Sequence, residues 1–184
     1  MAFQLPTDCL NEIFEHLEEY PTSLKSCLLA NRFWCKIAVR ILWRNVWNVP
    51  NDVYYKSDRR CRALSILSTL ISCLPNESKN LLYENEISIL IPTLKSPLFN
   101  YISFIKSLSF YNLEYVVGNA LNYQQINTSK NKYLVIKELL KAFMNQISSL
   151  KSLSYDINYP TTINDIPFCF FSKGKRLFDR SVRI

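Results

Sequence analysis

The 184-residue sequence is poor in the residues that many catalytic sites require. It holds only two glycines, Gly118 and Gly174, and one histidine, His16. Two isolated glycines exclude the glycine-rich loops that cradle nucleotide phosphates. A histidine relay would also need a serine or cysteine and an orienting acid at His16, and the sequence shows no such set. We therefore predict that the protein is not an enzyme, has no catalytic residues and needs no cofactor.

Metal-binding and disulfide patterns are also missing. The cysteines form no C-x-x-C pair and, with one histidine, cannot complete the usual structural zinc sets, so we expect no metal. Five of the six lie in apolar helical patterns, which favours reduced core thiols in a cytoplasmic and/or nuclear protein over the alternative of a disulfide framework. The six are Cys9, Cys27, Cys35, Cys61, Cys73 and Cys169.

No segment is long enough to cross a membrane. The longest apolar run, "ALSILSTLISCL", extends for about a dozen positions and contains three serines, whereas a span needs about 20 residues. The first residues, "MAFQLP", lack the basic start and apolar run of a signal peptide. We expect no membrane partner.

The net charge of +7 is spread over the chain rather than gathered at one place. Residues 1–20 carry acids and no base, residues 21–62 carry nine bases and two acids, and "KGKRLFDRSVR" near the C-terminus is a second basic cluster. Because a nucleic-acid footprint is usually one concentrated basic surface, we do not expect nucleic acid as the main ligand.

Three helices are predicted in the first fifty residues. Leu10, Ile13, Phe14 and Leu17 have the spacing of one apolar helix face, which predicts a helix over about residues 6–18. Pro21 then breaks the chain, and Thr22 or Ser23 can cap a second helix. Asn31 can cap a third.

The third helix is more apolar than a small unit can enclose. Arg32, Lys36, Arg40 and Arg44 recur every four residues and form one narrow basic stripe, while the other positions from Phe33 to Trp43 are apolar. A unit of about 45 residues is too small to cover the rest of this helix by itself. We therefore expect another protein to cover it, with the tryptophans as anchors.

These residues resemble an F-box. "LPTDCLNEIFEHL" followed by "LKSCLLANRFWCKIAVRILWRNVW" is similar to the family's pattern, which begins with Leu-Pro and ends in R-x-W and Leu-Trp. The resemblance implies a three-helix module at residues 3–47 that binds a Skp-type adaptor and, through it, a cullin of the ubiquitin ligases. The adaptor-binding residues that it implies are Leu5, Pro6, Leu10, Ile13, Leu17, Leu24, Leu28, Leu29, Trp34, Leu42 and Trp43.

The middle of the chain reads as a helical linker region, residues 48–100. "DRRCRALSILSTLISCLP" predicts a helix that starts near Asp58 and ends before Pro75, and "NESKNLLYENEI" predicts a shorter one. "IPTLKSPLFN" contains two prolines and is predicted to be irregular.

Residues 101–160 contain a short internal repeat. "FIKSLSF" at 104–110 and "SLKSLSY" at 149–155 both alternate like half-buried strands, and an amphipathic helix is predicted between them at 133–147. Leu150, Leu153, Tyr155 and Asn158 follow the pattern L-x-x-L-x-L-x-x-N, whereas Asn112 of the first copy comes one residue early. The region resembles leucine-rich repeats, which implies a target-binding surface; two unrelated amphipathic strands are the alternative.

The sequence thus predicts a mainly α protein with an N-terminal three-helix F-box, a helical linker, an incomplete α/β leucine-rich-repeat-like region and an irregular basic tail at 161–184. Two repeats without a capping unit suggest a truncated member of a longer family. The predicted function is to join a Skp-type adaptor to an unknown target protein. The alternatives are a helical scaffolding protein, or a nucleic-acid-binding protein that uses the basic stripe of the third helix.

Overall fold

The computed structural model describes residues 5–47, 56–87 and 97–154, with side chains of the second range from residue 60. In these ranges the chain is mainly α-helical, with two short strands, which confirms the predicted fold class. The chain divides into two compact units, Met1–Val46 and Trp47–Ile184. No described helix is both long and apolar enough to span a membrane. The predicted basic tail lies outside the described residues.

The N-terminal unit holds the three predicted helices, with one correction at the start of the second. Pro21 does not precede a cap at Thr22 or Ser23 but is itself the first helical residue. Proline is favoured there because the first turn has no partner for its missing N–H. The helices are α1 (Thr7–His16), α2 (Pro21–Ala30) and α3 (Arg32–Leu42).

The described residues of the C-terminal unit form four further helices and two strands. They are α4 (Lys56–Ser72), α5 (Asn76–Glu84), a 3₁₀ turn (Tyr101–Phe104), β1 (Ser107–Ser109), α6 (Phe110–Tyr123), α7 (Ser129–Gln146) and β2 (Ser152–Ser154). The helices predicted from Asp58 and from Asn76 are confirmed as α4 and α5.

The helical segment predicted as a linker packs into the C-terminal unit. α4 lies along α6, and α5 contacts α7. The expected boundary near residue 100 therefore does not separate two compact parts, because α4 buries its apolar side against the helices that follow it. Its apolar residues recur at helical spacing and are nearly inaccessible to solvent: Ala63, Ile66, Leu67, Leu70 and Ile71.

The internal repeat forms a two-stranded parallel sheet. Ser107, Leu108 and Ser109 of β1 pair with Ser152, Leu153 and Ser154 of β2, so the two copies of "KSLS" lie side by side in matching register. Parallel strands need a long connection that returns to the same end of the sheet. Here α6 and α7 together provide that connection.

The connection contains one helix more than the repeat pattern predicts. Phe110 is the first residue of α6, and the Ser109 hydroxyl accepts a hydrogen bond from the Asn112 N–H at 3.3 Å. Asn112 therefore lies in the first turn of a helix rather than in a turn after a strand. Tyr155 and Asn158, which carry the rest of the leucine-rich-repeat resemblance, lie outside the described residues, so that resemblance stays a prediction.

Trp47 contributes to the same sheet. Its indole N–H donates a hydrogen bond to the Ser107 carbonyl oxygen at 2.7 Å, and its ring meets Phe143 of α7 edge-on at a centroid distance of 6.2 Å. The side chain is 3% exposed. A buried indole N–H needs a partner of this kind, because an unsatisfied donor is costly.

Two helices end on residues with left-handed backbone although neither is glycine. Glu86 after α5 has φ 61°, and Gln125 after α6 has φ 58°. In both, the next residue donates back into the last turn, from the Ile87 N–H to the Leu82 carbonyl and from the Ile126 N–H to the Leu121 carbonyl. This is the Schellman motif, in which glycine is preferred because a Cβ strains the left-handed conformation.

We expect Gln125→Gly to stabilise the C-terminal unit by about 0.5–1 kcal/mol, since it relieves this strain. Gln124→Gly is the matched control. Gln124 has right-handed helical backbone, so its replacement should lower stability by a similar amount. Urea unfolding of the full chain, followed by circular dichroism, measures both. A loss of stability in Gln125→Gly would contradict the left-handed backbone conformation of Gln125.

A buried carboxylate connects α5 to α7. Glu138 is 3% exposed, accepts a hydrogen bond from the Ser78 hydroxyl at 2.7 Å and pairs with Lys141 Nζ at 2.5 Å. Burial by itself raises the pKa of Glu138, but the hydrogen bonds from Lys141 and Ser78 outweigh it, and the net effect is a lowered pKa.

We expect Glu138→Gln to destabilise the protein by about 1–2 kcal/mol at pH 7, because a charged hydrogen-bond acceptor is lost. A lowered folded-state pKa contributes stability above the ordinary value of 4.5, and that stability is lost as the pH falls through the folded-state pKa. The difference in the free energy of unfolding between the wild type and Glu138→Gln should therefore become smaller at acidic pH. Urea titrations at pH 7 and at lower pH test this, with the exposed Glu84→Gln as a control that should show no such dependence.

Candidate docking surface of the N-terminal unit

The N-terminal unit is held together by α3, which packs against both α1 and α2. On a helical wheel the buried residues Ala38 and Ile41 lie about 100° or more from Arg32, Lys36 and Arg40, whereas Ile37 lies beside Arg44. Removing a buried leucine, isoleucine or phenylalanine side chain from water contributes about 1.5–3 kcal/mol. The core consists of Leu10, Phe14, Leu24, Ile37, Ala38 and Ile41.

The start of α3 is fixed by a cap and by an aromatic contact. The Asn31 side-chain oxygen accepts a hydrogen bond from the Trp34 N–H at 2.9 Å, which confirms the predicted cap. The Trp34 ring meets Phe14 of α1 edge-on, with centroids 5.4 Å apart. Trp34 therefore has a structural role inside the unit, since its contact with Phe14 fixes α3 on α1.

The end of α3 is fixed by an ion pair. Arg44, just beyond the helix, donates two hydrogen bonds to the two carboxylate oxygens of Glu15, and Glu18 lies 3.6 Å from the same guanidinium. The hydrogen bonds with Glu15 are the main cause of a raised Arg44 pKa. Arg44 is thus the one base of the predicted stripe that has acidic partners among the described residues.

The eleven residues predicted to bind the adaptor fall into three groups. Two are in the core and stabilise the unit from inside: Leu10 and Leu24. Five are half-buried: Leu17, Leu28, Trp34, Leu42 and Trp43. Four are exposed: Leu5, Pro6, Ile13 and Leu29. Adaptor contact through any of them stays a prediction.

The exposed apolar area is not on the helix where the sequence placed it. No described residue of α3 is a large exposed hydrophobic; its exposed positions are Arg32, Lys36 and Arg40. The apolar positions of α3 are either buried, as are Ile37, Ala38, Val39 and Ile41, or half-buried, as are Phe33, Trp34 and Leu42. Exposed apolar side chains lie instead on α1, α2 and their flanks: Leu5, Ile13, Tyr20 and Leu29.

Leu29 is the most exposed of these residues. It is 89% exposed near the C-terminal end of α2, whereas Leu24 on the inner side of the same helix is 1% exposed. On α1, the exposed Cys9 and Ile13 are one turn apart and lie on the same side. Sequence reasoning missed Cys9 and Tyr20, although the i, i+4 spacing of Cys9 and Ile13 could have indicated the shared face.

The three exposed bases of α3 form a surface of their own, which we call the basic row: Arg32, Lys36 and Arg40. They have no ion pair with any described residue. Like charges one helical turn apart destabilise a helix by about 0.2–0.5 kcal/mol per pair. Arg32 is the first residue of α3, whose first turn contains no acid, so it also opposes the helix dipole.

Among the described residues, no three His, Cys, Asp or Glu side chains come together as metal ligands. In the C-terminal unit an open cleft of about 370 Å³ lies between the α4–α5 turn and residues 97–100. Lys79, Leu98 and Phe99 line it, and Leu98 is 82% exposed.

We expect Arg44→Lys to loosen the N-terminal unit, because a lysine cannot form the two parallel hydrogen bonds to Glu15. The stability of the N-terminal unit should fall by about 0.5–1 kcal/mol. The matched control is Arg40→Lys, an exposed position without an acidic partner among the described residues, which should change nothing. Hydrogen exchange of α1 and α3 in the full chain, read by mass spectrometry, should be about 2–5-fold faster in Arg44→Lys alone. Equal exchange in both variants would contradict this role.

Comparison with known families agrees with this architecture. Residues 2–48, about a quarter of the chain, match the family model of F-box-like domains. The search of curated proteins and the search of solved structures gave no match. The matched segment contains all three helices of the N-terminal unit, the core beneath α3 and the Arg44–Glu15 pair. Residues 2–48, which contain the three helices of the N-terminal unit, therefore form an F-box-like domain.

Proposed function

We propose that this protein joins a Skp-type adaptor to a target protein within a Skp–cullin–F-box ubiquitin ligase. The F-box-like domain supports the first half of this function, since F-box domains act in such complexes by binding the adaptor. Ubiquitin transfer itself belongs to other subunits. The contribution of this chain is to hold a target close to the ubiquitin-carrying enzyme, which raises its effective concentration there.

The observation that carries the adaptor half is the exposed apolar area of α1 and α2. Ile13 is 47% exposed and Leu29 is 89% exposed, although the same helices keep Phe14 and Leu24 at 1%. Exposed apolar side chains that gather on a small folded unit are typical of protein interfaces. Adaptor binding would cover them, together with the half-buried tryptophans Trp34 and Trp43.

The target half of the proposal assigns recognition to the C-terminal unit. This unit has its own core, so it can present a surface independently of the F-box-like domain. The cleft beside the α4–α5 turn, with Leu98 and Phe99 as apolar anchors and Lys79 as a charged group, is the concave surface that we assign to target binding. A cytoplasmic and/or nuclear location is part of the same proposal, since it fits cysteines that are free thiols at Cys9, Cys27, Cys35, Cys61 and Cys73.

Co-expression with a Skp-type adaptor tests the proposal. We expect the full chain to form a soluble complex, and Ile13→Ala with Leu29→Ala to reduce adaptor recovery at least about tenfold, because apolar anchors are lost. Leu81→Ala with Leu98→Ala, in the C-terminal unit, removes two exposed leucines as a matched control and should leave recovery unchanged. Trp34 is avoided because its contact with Phe14 makes its truncation a folding defect.

Absence of any complex between the wild-type chain and the adaptor would overturn the proposal. If the variant Ile13→Ala with Leu29→Ala recovered as much adaptor as the wild-type chain, the adaptor would not dock on this apolar surface. If the chain instead formed a dimer of itself that required Ile13 and Leu29, a scaffolding function would replace the ligase function.

A further inference from the structure

The basic row is a surface that adaptor docking through apolar residues leaves unexplained. Arg32, Lys36 and Arg40 are the first, fifth and ninth residues of α3, and successive members are about 6 Å apart along the helix axis. All three are exposed, and none has an ion pair with a described residue. The next base in the same sequence pattern, Arg44, is neutralised by Glu15 and Glu18.

This arrangement is unfavourable for the free domain. Neighbouring members of the row repel each other one turn apart, and Arg32 lies at the positive end of the helix dipole without an acid in the first turn. The same helix end is otherwise well formed, with Asn31 as its cap. A local electrostatic conflict in a helix that is otherwise well capped and well packed marks a surface that serves a function other than folding.

The charge balance of the domain indicates what kind of partner the row fits. Residues 5–46 hold five acids and five bases, so the domain has no net charge to attract a polyanion from a distance. The exposed acids lie on α1 and in the residues just after it, and they would repel a nucleic-acid backbone that extended beyond the row. A short segment with a few carboxylates meets only the three bases. The five acids are Asp8, Glu12, Glu15, Glu18 and Glu19, and the five bases are Lys25, Arg32, Lys36, Arg40 and Arg44.

We propose that the basic row of α3 is a docking surface for an acidic segment of a partner protein, in which carboxylates recur at one-turn spacing along a helix. Glutamates every four residues on that helix would repeat at the same distance of about 6 Å as the bases of the row. Each pair would be exposed and individually weak, so the row acts through three pairs together and through faster, oriented association. The inference does not depend on adaptor binding, because it uses none of the exposed apolar residues.

A defined peptide pair tests this with the full chain. The probe is a fluorescent alanine-based helical peptide with glutamate at every fourth position, and its control carries glutamine at those positions. We expect fluorescence anisotropy to show binding of the glutamate peptide alone, weakening as salt rises. The variant Arg32→Glu/Lys36→Glu/Arg40→Glu should bind at least about tenfold more weakly.

The control for net charge is Lys25→Glu/Arg60→Glu/Lys130→Glu, which changes the charge by the same amount at three scattered exposed positions. It should retain binding within about twofold. Arg32→Gln/Lys36→Gln/Arg40→Gln removes the charges without reversing them and should also lose binding, with an unchanged circular dichroism spectrum.

Four results would overturn the proposal. The first is no binding of the glutamate peptide. The second is an equal loss of peptide affinity in the variant of the basic row and in the variant with three scattered substitutions. The third is a single-stranded DNA oligonucleotide that binds the row more tightly than the peptide, which would make the ligand a nucleic acid. The fourth is self-association at low salt that Asp8→Asn/Glu12→Gln/Glu19→Gln abolishes, which would make the acids on and just after α1 of a second copy the occupant.

Discussion

The burial of one side of α3 against α1 and α2 is the constraint on which the N-terminal unit depends. Ile37, Ala38 and Ile41 lie in the core, while Arg32, Lys36 and Arg40 of the same helix stay exposed. The contact of Trp34 with Phe14 fixes one end of α3 on α1, and the pair between Arg44 and Glu15 fixes the other. Because α3 is fixed at both ends, the surfaces around it have defined positions.

One consequence is that apolar and charged surfaces are separated within a small domain. The apolar residues that the core cannot accommodate emerge on α1 and α2, while the bases line the outside of α3. Apolar area gives affinity, whereas exposed charges act mainly on orientation, specificity and association rate. The two proposed contacts would therefore use different surfaces of the domain and differ in their dependence on salt.

In the C-terminal unit the same kind of constraint acts through a parallel strand pair. The strands are only three residues long, and the sheet is stabilised by what packs around it: α6 and α7 in the connection, and Trp47 through its bond to the Ser107 carbonyl. α5 is held to α7 by the buried Glu138, whose charge is tolerated because Ser78 and Lys141 satisfy it. Each part of the unit therefore relies on groups far away in sequence.

Sequence alone determined the helices of the N-terminal unit, the F-box resemblance, the cap at Asn31 and the two strands, because periodicity, capping chemistry and a repeated "KSLS" are local signals. The sequence did not predict α6, because "FYNLEY" follows a strand directly. It also did not predict the ends of α5 and α6, because Glu86 and Gln125 occupy the positions where glycine is the usual signal. Only the tertiary structure decided that Leu10 and Leu24 are internal while Leu29 is exposed, and that Arg44 is paired while Arg32, Lys36 and Arg40 are not. Burial and ion pairing depend on which helix lies opposite, and that information is spread over residues that are distant in the chain.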